Sequence, residues 1–166
     1  MQYKDKEGDY MELEFDVKVT PSAMYDYLLH HTYSGMSGII GTVFGVFLIM
    51  AFLATKYPIY LIAVIGYLPA ALLLKAHQQV SMTPAFKQPL HYHMTDEGIS
   101  VSQGENEEQQ SWESCYKAVS TRNSIILYTS RTTASIFPRK DLGENVETLI
   151  KMISTHMPPK KVKIRF

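Results

Sequence analysis

Residues 35–55 read GMSGIIGTVFGVFLIMAFLAT and residues 57–74 read YPIYLIAVIGYLPAALLL, with Lys56 the single charge between Gly35 and Leu74. An α-helix rises about 1.5 Å per residue and a bilayer's hydrocarbon core is ~30 Å thick, so about 20 apolar residues cross it. Ser34–Thr55 and Pro58–Ala76 supply roughly 33 Å and roughly 28 Å of helix at that rise. The reading is a two-helix transmembrane hairpin, 34–55 and 58–76, turning at Ala54-Thr55-Lys56-Tyr57-Pro58 with Pro58 in the first turn of the second helix. Pro69 is placed to kink that second helix. Tyr57 and Tyr60 suit one interface and Tyr33 the other. Small residues recur at four-residue spacing, Ser37, Gly41 and Gly45 in the first span, Gly66 and Ala70 in the second. Such a series lets helix backbones approach closely in lipid. It reads either as a dimerisation face or, more simply, as packing of the hairpin on itself. Neither span carries an ionisable residue in its interior, which argues against an ion pathway within one chain.

Outside the hairpin, the neutral balance of 16 basic and 16 acidic residues in 166 conceals three unequal parts. Residues 1–34 hold three Lys against seven acids, a net of −4. Residues 76–157 hold seven basic against nine acidic residues, a net of −2, and residues 158–166 hold four basic residues and no acid. No stretch combines basic residues and aromatics as a nucleic-acid groove requires, so no nucleic-acid partner is expected. An apolar run preceded by 34 net-acidic residues and followed by a second run does not read as a cleaved signal peptide. Near the spans, Lys56 stands alone on one side, while Lys18, Lys75 and Lys87 stand on the other. Both termini are therefore expected on the cytoplasmic side of the membrane, with the chain multi-pass.

Residues 11–19 alternate strictly, apolar at odd positions and charged at even ones, so they form a strand with one buried face. Thr20-Pro21 opens a helix, with Thr20 as N-cap and Met24, Tyr27, Leu28 and His31 on one face. Beyond Lys75 the chain turns β-rich. Strands are expected at Leu90–Thr95, Ile99–Gln103, Gln109–Val119 (carrying Trp112 and Tyr116), Ile125–Ser130 and Thr133–Phe137. Asp96-Glu97-Gly98 makes a hairpin turn and Gly104-Glu105-Asn106 a polar loop. A helix over Asn145–His156 presents Val146, Leu149, Ile150 and Ile153 as one stripe, continued by Met157, and Pro158-Pro159 ends it. The fold class is an α+β membrane protein, with a transmembrane hairpin and one small antiparallel sheet closed by a C-terminal amphipathic helix. About 70 residues make a thin core, so the N-terminal strand is expected to complete the sheet. The basic tail is either held to anionic lipid or paired as a strand. In the second case, within one chain or between two, Lys161, Lys163 and Arg165 face Glu12, Glu14 and Asp16 of the N-terminal strand.

The "Thr-Asp-Glu-Gly-Ile" turn at Asp96, Glu97, Gly98 and Ile99, the mid-domain Trp112, the Ile125–Tyr128 strand and the Ile136–Leu142 segment together resemble the bacterial YcxB-like membrane proteins over about residues 11–157. That resemblance implies a pleckstrin-homology-like cytoplasmic domain interrupted or tethered by a membrane hairpin, and it brings no assigned biochemical role. The organisation so implied is a strand and amphipathic helix over 1–33, the hairpin over 34–76, the β domain with its C-terminal helix over 77–157 and a basic tail over 158–166.

No Gly-rich phosphate loop, nucleophile elbow, HExxH or calcium loop is present, so no enzyme and no cofactor are expected. Cys115 alone permits no internal disulfide and reads as a small buried hydrophobe. His91 and His93 project from one face of a strand. With a third ligand they would bind a metal, but the simpler reading is an exposed polar face and no metal is expected. The remaining candidates are cationic: Arg139 and Lys140 for an anionic partner, and Lys160, Lys161, Lys163 and Arg165 for lipid or strand pairing. The functional expectation is a membrane-anchored interaction module that meets membrane lipid and a protein partner or its own copy. A bacteriocin-immunity role is the alternative, on architecture alone.

Overall fold

The computed structural model describes residues 11–66 and 70–165, apart from the side chain of Ser37. The expected kink at Pro69 and the charges of residues 1–10 lie outside the described residues. Among the described residues, 11–19 with 84–165 form one compact unit, and those within 20–83 form the other.

In the first unit, β1 (Leu13–Val17) buries Leu13, Phe15 and Val17 and exposes Glu14 and Asp16, the alternation written in its sequence. It pairs antiparallel with β2 (Leu90–Met94), which pairs with β3 (Ile99–Gln103), which pairs with β4 (Asn106–Gln110). Val17 stands opposite Leu90, so the N-terminal strand does complete the sheet, across the whole intervening helical segment. A second sheet has the order β7 (Ala134–Pro138), β6 (Ser124–Tyr128), β5 (Lys117–Ser120), β8 (Val162–Lys163). The core lies between the sheets: Phe15 stacks on Tyr92 at 5.5 Å, and the edge of Phe137 meets both rings at 5.5 and 4.9 Å. After the short α5 (Arg139–Leu142), α6 (Asn145–His156) buries Leu149, Ile150, Met152 and Ile153 almost completely. Burial of each such side chain is worth about 1.5–3 kcal/mol.

Two sheets stand where one was expected, because Gln109–Val119 is not a single strand. β4 ends at Gln110, Trp112–Ser114 form a 3₁₀ turn, and β5 begins only at Lys117. Trp112 and Cys115 are both buried, three residues apart, which suits a helical turn and violates strand alternation. The turn is closed by Ser114 and Cys115 amides donating to the Ser111 and Trp112 carbonyls. The tail also departs from expectation. Residues Val162–Lys163 pair with β5, in parallel, and not with β1. One edge of β1 is taken by β2, and α5 and α6 pack against the strand.

In the second unit, α1 (Pro21–Tyr33) is capped by Thr20, whose Oγ1 accepts from the Ala23 amide at 3.3 Å, and packs Met24, Tyr27 and Leu28 inward. It runs alongside α4 (Ala71–Met82). α2 (Met36–Thr55) is continuous and ends at Lys56, which takes a left-handed φ of 59° with its amide on the Phe52 carbonyl. α3 (Ile59–Ile65) turns back against α2. Pro58–Ala76 is therefore not one described span. α3 stops at Ile65, Gly66 and Ala70 take wide π-type turns, and α4 runs past Ala76 to Met82. Among the described residues α2 is the one helix long and apolar enough to cross a membrane, and the two-helix hairpin is not established by these elements.

Candidate functional site

The two cationic segments singled out in the sequence meet in the fold. Pro138 ends β7 and releases the chain into α5, where the Arg139 amide donates to the Asn123 carbonyl at 2.8 Å. The Arg139 guanidinium donates to the Arg165 carbonyl at 3.0 Å, and the Arg165 amide donates to Ser120 Oγ at 2.7 Å. Lys161 Nζ donates to the Cys115 carbonyl at 2.9 Å. Arg139 and Lys161 thus hold the tail in place. Arg122, Lys140, Lys160, Lys163 and Arg165 remain exposed. Among the described residues no Lys or Arg stands within 4.0 Å of a carboxylate. These contacts bring together the segments that carry Arg122, Arg139, Lys140, Lys163 and Arg165, a basic corner suited to an anionic group.

The outer face of the first sheet has the opposite character. Register places Asp16 opposite His91 opposite Ser102, and Glu14 opposite His93 opposite Ser100. His91 Nδ1 lies 2.9 Å from Asp16 Oδ1, and His93 Nε2 lies 2.7 Å from Glu12 Oε1 and 3.8 Å from Glu14 Oε1. Hydrogen bonds from Gln109 and Ser100 lower the pKa of the Glu107 carboxyl on the same face. The sequence showed His91 and His93 sharing a face. It did not show that the acids of β1 share it, because that depends on which strand β1 pairs with.

The Thr95–Ile99 turn performs a structural task. Asp96 Oδ2 accepts from the Met11 amide at 3.1 Å, and Oδ1 lies 3.0 Å from His156 Nε2 at the end of α6. His156 stacks on Trp112 at 5.1 Å, and Trp112 Nε1 donates to the Thr95 carbonyl at 2.8 Å. A Cβ on Gly98 would stand 2.6 Å from the Gln110 carbonyl oxygen, so only glycine fits between these backbones. Cys115 is fully buried, and burial pushes its thiol pKa up, which leaves the sulfur without thiolate character at neutral pH.

The helix-packing series is divided. Gly41 is buried, whereas a Cβ on Gly45 or Gly66 would meet nothing within 4 Å. Ala70 is half-buried, and the Ser37 side chain lies outside the described residues. On the same helix Gly38 is under real constraint, since a Cβ there would fall 2.4 Å from the Tyr33 Cα.

Residues 95–153 match the family model described as YcxB-like protein. The match begins in the Asp96 turn and ends within α6, so it covers β3 to β7 and the Trp112–Thr95 hydrogen bond while leaving β1, β2, His156 and the helical unit outside. No curated protein and no solved structure matches the chain.

Proposed function

We propose that the chain is a membrane-anchored, non-enzymatic interaction module. On this reading the helical unit crosses the bacterial cytoplasmic membrane and the β unit is a pleckstrin-homology-like head at its cytoplasmic face, with both termini cytoplasmic. The observation that carries the proposal is α2. Only 11% of Gly38–Thr55 is buried, and Ile40, Phe47, Met50 and Leu53 are all more than half exposed. A helix apolar on every side is at home in hydrocarbon, whereas in water each Å² costs about 25 cal/mol. The β1–β2 ladder supports a return crossing. Val17 and Leu90 are partners in one sheet, so the chain leaves and re-enters the head on the same side of any membrane. If α2 crosses, the segment between Lys56 and Thr83 crosses back. Two four-stranded sheets, antiparallel except for the two-residue β8, and a closing helix support the pleckstrin-homology-like reading of the head.

The basic corner is the contacting surface in this proposal, and its partner is anionic membrane lipid or an acidic patch on a protein. Each cation near an anionic leaflet contributes about 1 kcal/mol, and tethering raises the local concentration of the head, so a weak contact suffices. The test is fractionation of the full chain. It is expected in the membrane fraction, resistant to carbonate washing and released by detergent. Recovery from the cytosol as a monodisperse species without detergent would overturn the proposal.

A further inference from the structure

We infer that Glu12, Glu14 and His93 form a binding site for a divalent transition-metal ion of the zinc class on the outer face of the first sheet. The three side chains come from adjacent strands whose register holds them together, with Glu14 directly opposite His93. One ligand atom from each lies within 4.8 Å of the others, the closest pair being Glu12 Oε1 and His93 Nε2 at 2.7 Å. Ligand atoms sharing one zinc-class ion at about 2.0–2.2 Å stand roughly 3–4 Å apart, so small rotamer adjustments close the set.

Chemistry selects the ion. An imidazole beside two carboxylates suits zinc and its neighbours in the first transition row, while magnesium and calcium favour an all-oxygen set. Charge supports a cation as well. Glu12, Glu14, Asp16 and Glu107 share this face, and no paired position on it carries Lys or Arg. A divalent ion neutralises the two glutamates that flank His93. Three protein ligands leave coordination positions open, and His93 also lines an open pocket of about 440 Å³ with Ser100 and Gln109. Water or a small anionic ligand has room there. Binding also clamps β1 to β2, the ladder through which the head is joined to the helical unit.

The test uses the full chain in mild detergent, stripped with a chelator and titrated with Co²⁺ and Zn²⁺. One Co²⁺ per chain is expected to give a visible d–d absorption band that Zn²⁺ abolishes, and Zn²⁺ is expected to raise the thermal midpoint read from Trp112 fluorescence. Loss of even an outer-shell partner weakens metal sites by about 10–100-fold, so His93→Gln and the double variant Glu12→Gln/Glu14→Gln are each expected to weaken Zn²⁺ binding at least about tenfold. His91→Gln is expected to bind as the parent does. All three positions lie on an exposed face, and unchanged Trp112 emission will show that the variants fold. No band and no midpoint shift at millimolar metal would overturn the inference, as would stoichiometric binding that survives both variants.

Discussion

Gly38 and Gly45 lie on one helix and carry opposite demands. A Cβ at Gly38 meets the Tyr33 Cα at 2.4 Å, and backbone cannot yield as a side chain would; a Cβ at Gly45 meets open space. Gly38→Ala is expected to destabilise the helical unit by about 1–3 kcal/mol, the range for overpacking. Gly45→Ala is expected to be neutral or stabilising by up to about 1 kcal/mol, since alanine is the better helix former. Circular dichroism melts of the two variants in detergent, at a helical wavelength, decide between these outcomes. Spacing alone pointed to Gly41 and Gly45 and passed over Gly38, because the constraint on Gly38 comes from the end of α1 and not from a periodic helix face. Asp96 makes the complementary case. Its two oxygens serve the Met11 amide and His156, so Asp96→Ala leaves both without their acceptor. The expected loss is about 1–3 kcal/mol. Trp112 is the only tryptophan and stacks on His156, so its emission should shift in the same variant. An unchanged melting midpoint and unchanged emission would show that Asp96 has no structural task. The turn was legible in "Thr-Asp-Glu-Gly-Ile"; its two distant partners were not, since both are tertiary.

Among the elements, β1 and α6 were readable because each has one clean period and one buried face. The error over Gln109–Val119 has a local cause. Polar residues, Trp112 and Tyr116 pass for alternation until the buried pair Trp112 and Cys115 is seen to be three residues apart. The tail shows a different limit. Its alternation correctly indicated a strand, but charge complementarity to β1 named the wrong partner within the chain. Exposed cross-strand ion pairs contribute only about 0.2–1 kcal/mol each, too little to outweigh placement beside β5. There Val162 pairs with Ala118, and Lys161, Arg139 and Ser120 hold the tail backbone and the Cys115 carbonyl by hydrogen bonds. Deleting residues 160–166 removes these three bonds, at about 0.5–1.5 kcal/mol each, so at least about 1.5 kcal/mol of head stability is expected to go. At about 4–8 °C per kcal/mol for a domain of this size, the Trp112-detected midpoint should fall by roughly 6 °C or more. The deletion also bares an edge of β5, so concentration-dependent association is expected by light scattering. A variant that melts and sediments like the parent would show the β5–β8 pairing to be dispensable.

For the whole molecule, the proposed topology joins one ladder to one count of charges. The apolar runs were legible at once, yet residues 67–69, between α3 and α4, lie outside the described residues, so helix length does not establish the return crossing. The β1–β2 ladder provides the stronger constraint. Both ends of the helical insertion meet in one sheet, and that requires an even number of crossings. If α2 is one of them, as proposed, Lys56 lies on the far side from the head. On that reading Lys18, Lys75 and Lys87 lie on the head's side, and their excess over Lys56 is what points that side to the cytoplasm in the proposal. Cys115 is fully buried, so it serves as a silent background for labelling introduced cysteines. In intact spheroplasts, a membrane-impermeant maleimide is expected to label Lys56→Cys and to leave Glu105→Cys, on the exposed β3–β4 turn, unlabelled until the membrane is opened. Native Cys115 is expected to react only after unfolding. Labelling of both introduced cysteines before the membrane is opened would place turn and head on one outer side and rule out a crossing by α2. Labelling of Glu105→Cys alone would keep the crossing and invert the orientation, because the ladder fixes the even count and the lysines alone fix its direction.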